Sequence, residues 1–220
     1  MLSVQDSAAK TATGMKRHEE IKQAIIAAAM ERLARYGYGK TTMAELASDC
    51  KMSAGNLYRY FMSKLDIAEE IARQSFIRTA ERLREVVRRP NVPAVERLRS
   101  FLMEQMLITY QELEKDQHWI EMAEIVARER PHVANEGLAR VRSLIAEILA
   151  MGNATGEFDI DDVNFTAEMI QSATFKFRYP QLFSGLTLDK LEREAVGVID
   201  LLINGLRARS KDLVKSADAA

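Results

Sequence analysis

Residues 41–64 read Thr41-Thr42-Met43-Ala44-Glu45-Leu46-Ala47-Ser48-Asp49-Cys50-Lys51-Met52-Ser53-Ala54-Gly55-Asn56-Leu57-Tyr58-Arg59-Tyr60-Phe61-Met62-Ser63-Lys64. Met43, Leu46 and Ala47 recur at helical spacing, and Thr41 or Thr42 can accept hydrogen bonds from the open amides of a first turn, so a short helix is expected here. Lys51-Met52 interrupts the pattern, and Ser53 offers a second N-cap. Behind it Ala54, Gly55 and Asn56 put small or polar groups at a helix start, where bulk would hold the backbone away from a base edge. Leu57 and Phe61 lie four apart and can turn inward, while Tyr58, Arg59 and Tyr60 carry polar ends outward. Lys64, in the first turn of the next helix, opposes the helix dipole, which points to an external phosphate as its partner. The whole reads as a helix-turn-helix built to lie on DNA.

This stretch resembles the TetR family of bacterial transcriptional regulators. The match runs from Tyr36-Gly37-Tyr38 through Thr41-Thr42, Ala44-Glu45-Leu46-Ala47, Met52-Ser53, Gly55-Asn56-Leu57-Tyr58-Arg59-Tyr60-Phe61 and Ser63-Lys64. Two positions depart from the family's pattern. Lys51 stands where the family usually has glycine, and a left-handed backbone there costs a non-glycine residue roughly 1 kcal/mol. Met62 stands where proline or glycine is common, which loosens the link to the following helix. The resemblance implies DNA contact by Thr41, Thr42, Ser53, Ala54, Gly55, Asn56, Tyr58, Arg59, Tyr60 and Lys64. It puts Thr42, Tyr60 and Lys64 on phosphates, with Gly55, Asn56 and Tyr58 nearest the bases.

Composition bounds the rest of the chain. At 220 residues, 47% hydrophobic, with four prolines and ten glycines, it is long enough for a real core and is dominated by helix formers. An all-α fold of about nine helices is expected. The net charge of −1 hides an asymmetry: residues 1–90 hold 16 Lys and Arg against 11 Asp and Glu, whereas the remainder holds 15 against 21. The basic half contains the helix-turn-helix, and the modest excess suits a protein that reads a short site. Cys50, the single cysteine, rules out an internal disulfide and fits a reducing cytoplasm. No apolar run approaches the roughly 20 residues of a membrane span, so no membrane partner is expected.

The chain divides accordingly. Residues 1–15 lack periodicity and read as a flexible arm. Residues 16–63 form the helix-turn-helix domain, opened by a stripe of Ile21, Ile25, Ala28, Ala29, Leu33 and Tyr36 that Gly37 ends. Residues 64–89 form a connecting helix stopped by Pro90-Asn91-Val92-Pro93. Residues 90–210 form a helical ligand-binding and dimerisation domain, and 211–220 a disordered tail. Its last helix, about 188–209, carries apolar residues over more of its circumference than one core can use.

In the family the last two helices pair with a second copy as a four-helix bundle, which implies a homodimer joined through Phe165, Met169, Ala173, Val196, Gly197, Ile199 and Ile203. Two reading helices held about 34 to 36 Å apart match successive major grooves of a palindromic double-stranded operator. A ligand pocket built of Met103, Met106, Tyr110, Trp119, Met122, Met169 and Phe177 suits an apolar or amphipathic small-molecule effector, although an ordinary core uses the same residue types. The resemblance, and not this pattern, argues for a ligand.

His18, His118 and His132 are too scattered for a metal site, and no phosphate loop or nucleophile with a base is present, so no catalytic residue, metal or cofactor is expected. The implied function is a cytoplasmic, sequence-specific transcriptional repressor released by its ligand. An activator, or a regulator without a ligand, is the nearest alternative. A helical enzyme or a protein-binding scaffold must treat the Tyr58–Lys64 run as accidental.

Overall fold

The computed structural model describes residues 2–115, 117–180 and 187–207. It is all helical: α1 (Leu2–Tyr36), α2 (Met43–Asp49), α3 (Ala54–Leu57), α4 (Lys64–Val87), α5 (Ala94–Lys115), α6 (Gln117–Glu129), α7 (Pro131–Thr155), α8 (Val163–Ala173), α9 (Phe175–Arg178) and α10 (Leu188–Leu206). Among the described residues there is no strand, only an isolated bridge between Phe158 and Arg207. Among the described residues ten helices stand in place of about nine, because the stretch expected as one helix from 162 to 178 breaks at Thr174. The Thr174 hydroxyl, buried, donates to the Ile170 carbonyl (2.7 Å) and bends the chain out of its helical path.

The backbone of residues 2–15, expected as an irregular arm, belongs instead to α1. Ala8, Ala9 and Ala12 are strong helix formers, and no proline stops the helix from running back beyond the apolar stripe. The tail 211–220 lies outside the described residues.

Two compact units emerge, one of residues 1–75 with 116–134, the other of 76–115 with 135–220. This differs from the expected linear division: α4 is shared at Ser75, and α6 belongs with the helix-turn-helix, packed on α1. The reason is visible in its apolar residues. Met122 and Val126, four apart on α6, are buried in the same unit as Ile25, Ile26, Ala29 and Leu33 of α1 and Leu46, Leu57 and Phe61 of the motif.

The second unit has its own core, built on Leu83, Val86 and Val87 of α4, Leu98, Phe101 and Met106 of α5, Ile145, Ile148 and Leu149 of α7, and Leu191, Ala195, Ile199 and Ile203 of α10. Its helix ends are closed by side chains from elsewhere. The Arg97 guanidinium, buried, donates to the last carbonyls of α4 at Val86 (3.1 Å) and Val87 and to Val92 (2.9 Å). Glu157 accepts from the Ala94 and Val95 amides (2.9 and 3.1 Å), at the positive end of α5. Gly152 lets Phe158 fold back over α7; a Cβ there would stand 2.0 Å from the ring.

Candidate nucleic-acid interface

The motif is assembled by local hydrogen bonds that the sequence spells out. Thr42 caps α2 in a reciprocal box: its hydroxyl accepts from the Glu45 amide (3.3 Å) and donates to Glu45 Oε2 (2.7 Å), which also accepts from the Thr42 amide (2.8 Å). Those contacts, the hydroxyl's first, hold the Glu45 carboxyl below its ordinary range. Arg32 of α1 pairs with Glu45 (3.3 Å) and with Asp49 one turn on, fastening α2 to α1. The Asp49 carboxyl is held down by the Arg32 hydrogen bond.

The turn between α2 and α3 closes on Lys51 in the left-handed region, φ 54°. The Met52 amide then reaches back to the Ala47 carbonyl (2.9 Å) and the Lys51 amide to Ser48 (3.0 Å), the helix-ending pattern that glycine normally serves. Here lysine adopts it, in a backbone region that favours glycine. Ser53 caps α3, its hydroxyl accepting from the Asn56 amide (3.2 Å). α3 is one α-helical turn, continued by tighter bonds from the Arg59 amide to Asn56 (3.2 Å) and the Tyr60 amide to Leu57 (2.9 Å).

Leu57 and Phe61 are buried, and the opposite side of α3 is open. Ser53, Ala54, Gly55, Tyr58 and Arg59 are exposed and Asn56 is half-buried, with nothing within 4 Å of the place a Cβ of Gly55 would occupy. Tyr58 is 45% exposed. These residues are close in sequence, on the segment whose Leu57 and Phe61 are turned inward. Tyr60 stands at its edge, its ring stacked on His18 of α1 at 4.7 Å between centroids.

Two expected contacts are placed elsewhere. Thr41 is 1% exposed, and its hydroxyl donates to the Gly37 carbonyl (2.9 Å), so it is a structural residue of the α1–α2 turn and cannot reach DNA. Lys64 does not need an external partner to explain it: Nζ donates to the carbonyls of Tyr38 (2.5 Å) and Thr41 (2.7 Å) and lies 4.1 Å from the centre of the Tyr38 ring. Partial burial lowers its pKa, with Glu121 and Glu45 acting in the opposite sense. Thr42 is exposed, but its one hydroxyl proton points to Glu45.

Residues outside the motif complete the turn that presents it. Glu121 of α6 accepts from the amides of Tyr38 (Oε2, 3.3 Å) and Gly39 (Oε1, 3.2 Å). Gly37, at φ +81°, leaves the space this needs, since a Cβ there would lie 2.9 Å from His118 Nδ1 and 3.0 Å from Glu121 Oε2. No sequence signal connects Glu121 to a turn some 80 residues upstream. Arg32 was similarly silent, although Glu45 and Asp49, four apart on one face of α2, marked where a cation belonged.

Residues 25–71 match the family model for bacterial regulatory proteins of the TetR family, and residues 94–199 match that for the tetracyclin repressor-like C-terminal domain. The chain belongs to the TetR family. It is a TetR-family transcriptional regulator. No curated protein matches it. Among solved structures, a TetR-family regulator from Mesorhizobium loti MAFF303099 shares the fold at TM-score 0.70 and 16% identity, covering 87% of this chain and 99% of its own. FadR from Bacillus subtilis in complex with stearoyl-CoA matches at TM-score 0.62 and 22% identity, over 84% and 99% of the two chains. FadR from Thermus thermophilus, a TetR-family repressor in complex with lauroyl-CoA, matches at 0.64 and 21%, over 86% and 96%.

In this TetR-family chain the expected interface residues fall into two groups. Phe165 (59% exposed), Met169 (42%), Ala173, Val196 and Gly197 are on the surface. Ile199 and Ile203 are not; they join Leu191 and Ala195 in the stripe that α10 buries in its own core. The outward stripe is instead Gly197, Leu201 and Gly205, each four residues on, with Leu201 75% exposed. A helix apolar on nearly all sides leaves its rotation undetermined by pattern alone, so the sequence does not single out Leu201.

The expected pocket residues are also divided. Met103, Met106, Tyr110 and Phe177 lie in or against the core of the second unit, whereas Trp119 and Met122 belong to the unit that carries the motif. Met169 is turned outward on α8.

Proposed function

We propose that this TetR-family regulator binds a palindromic DNA operator as a homodimer, represses transcription, and leaves the operator when a small amphipathic ligand binds the C-terminal unit. The observation that carries the reading is the open surface of α3: Ala54, Gly55, Tyr58 and Arg59 exposed beside a half-buried Asn56, on a segment whose other side is locked down by Leu57 and Phe61. A small-residue start gives the backbone access to the major groove, and Asn56 can pair with the N6 and N7 edge of adenine. Tyr60 and Arg59 at its edge suit flanking phosphates.

Dimerisation is supported by the uncovered apolar side chains of Phe165 and Met169 on α8 and Leu201 on α10. Gly197 and Gly205 flank Leu201 on an open face and allow two backbones to approach closely. The ligand class is supported by the two FadR relatives, bound to stearoyl-CoA and lauroyl-CoA. Both ligands join a long apolar chain to a polar head. Titrating fatty acyl-CoAs of graded chain length into a complex with DNA from upstream of the chain's own gene tests the reading. Release at micromolar acyl-CoA supports it, and a complex indifferent to every chain length removes that ligand class.

A further inference from the structure

Glu121 is an acidic residue on a helix outside the helix-turn-helix, yet it holds the backbone that leads into it. The turn between α1 and α2 is gripped from two sides. On one side the Glu121 carboxylate takes the amides of Tyr38 (3.3 Å) and Gly39 (3.2 Å); on the other the Lys64 ammonium takes the carbonyls of Tyr38 (2.5 Å) and Thr41 (2.7 Å). The Thr41 hydroxyl bonds Gly37 across the same turn (2.9 Å), and the next residue, Thr42, caps α2. Three side chains of different chemistry thus hold Gly37, Tyr38, Gly39 and Thr41, and Thr42, the cap of α2, follows directly.

The far end of α6 is tied down as well. Arg130, just past α6, pairs with Glu69 (3.2 Å) and Asp66 (3.5 Å) near the start of α4, and His132 lies 3.3 Å from Glu69. α6 is thus tied near one end to the turn before α2 and, just past its other end, to the first turns of α4.

We propose that Glu121 is a positioning residue for DNA recognition: by holding the Tyr38 and Gly39 amides it sets the angle at which α2 and α3 meet the duplex. The proposal rests on the DNA-binding reading above. It makes a prediction of opposite sign to simple electrostatics. An exposed carboxylate in a DNA-binding unit repels phosphates, so its neutralisation should tighten binding if charge were all that mattered. If Glu121 positions the motif, Glu121→Gln weakens binding, because the amide NH2 cannot accept from the second backbone N–H.

The experiment uses the full chain. The operator Kd of Glu121→Gln is expected to rise about tenfold, because a turn that has lost one of its two amide contacts must be re-ordered on the duplex, with the slope of affinity against salt unchanged. Backbone amide exchange of Tyr38 and Gly39 should accelerate, while that of Leu46 and Ala47 in α2 holds. An unchanged or tighter Kd overturns the proposal, and so does exchange at Tyr38 and Gly39 that ignores the substitution. Should Glu121→Gln fail to fold, the wild-type protein decides: unprotected Tyr38 and Gly39 amides overturn it, protected ones sustain it. If the wild type binds no DNA, the DNA reading fails by itself, and the exchange comparison still reports whether Glu121 holds the turn.

Discussion

Leu201 offers the sharpest quantitative test of the dimer. Its side chain is 75% exposed in the protomer, on a stripe with Gly197 and Gly205, where it contributes little to its own core. Full burial of a leucine is worth roughly 1.5 to 3 kcal/mol. Three-quarters of that is still to be gained in the protomer, and a two-fold axis brings it in twice, so a central Leu201 contributes about 2.3 to 4.5 kcal/mol to the dimer. At about 1.4 kcal/mol per tenfold, Leu201→Ala should weaken dimerisation by roughly 40- to 1,600-fold. Leu201→Glu adds two opposed carboxylates and should give monomers at micromolar concentration. The assay is sedimentation equilibrium over a wide concentration range, beside thermal unfolding at a concentration where both forms are monomeric. There the melting of Leu201→Ala should match wild type to within about 0.5 kcal/mol, as for an exposed site. An unchanged dimerisation constant refutes the placement of Leu201 at the interface. A large loss of protomer stability refutes its assignment as an outward residue.

Other outcomes follow from the motif. Lys51→Gly, which relieves a left-handed lysine at φ 54°, should stabilise the protein by about 0.5 to 1 kcal/mol in thermal melts, part of the relief being offset by glycine's extra freedom when unfolded. A decrease would mean that the turn tolerates lysine without strain. Lys64→Ala separates two roles for the ammonium: a phosphate contact lowers the salt slope of DNA binding by about one charge, whereas a turn-holding residue weakens binding with the slope intact. The bonds to the Tyr38 and Thr41 carbonyls favour the second result.

Acid should loosen the motif's fastening to α1. Asp49 and Glu45 have depressed native pKa values, Asp49 through its hydrogen bond to Arg32 and Glu45 through those to Thr42. Their contribution is therefore whole above the unfolded carboxylate values near pH 4 and is lost as pH falls through the native ones. Asp49→Asn should flatten part of the fall in melting temperature between about pH 5 and pH 3. If the profiles of variant and wild type are parallel there, the Arg32 pairing contributes nothing to stability.

What could be read without coordinates was whatever depends on near neighbours. Ser53 before a small-residue helix start and Leu57 with Phe61 each sit within one helical turn, so spacing alone reveals them. What escaped depends on contacts between distant segments or on rotation. Lys64 looked unpaired because its partners are carbonyls of a turn more than twenty residues away, and carbonyls leave no trace in a list of side chains. Thr41 and Thr42 were equivalent as letters; only the fold turns one hydroxyl onto Gly37 inside and the other onto Glu45 outside. α6 was read as part of the C-terminal domain because Met122 and Val126 are apolar enough for either core, and the choice was made by its packing on α1. For α10, Ile199 and Leu201 are two residues apart and both apolar, so pattern alone could not say which of them faces out.

The most direct test is binding of the full-length protein to DNA from upstream of its own gene, measured by fluorescence anisotropy against a scrambled duplex at the same salt, with Asn56→Ala in parallel. The expected result is a preference for the upstream duplex of about a thousandfold or more, which Asn56→Ala reduces by relaxing discrimination at one base pair. Equal affinity for both duplexes, or a preference that survives Asn56→Ala undiminished, would contradict the reading of α3 as the element that recognises sequence.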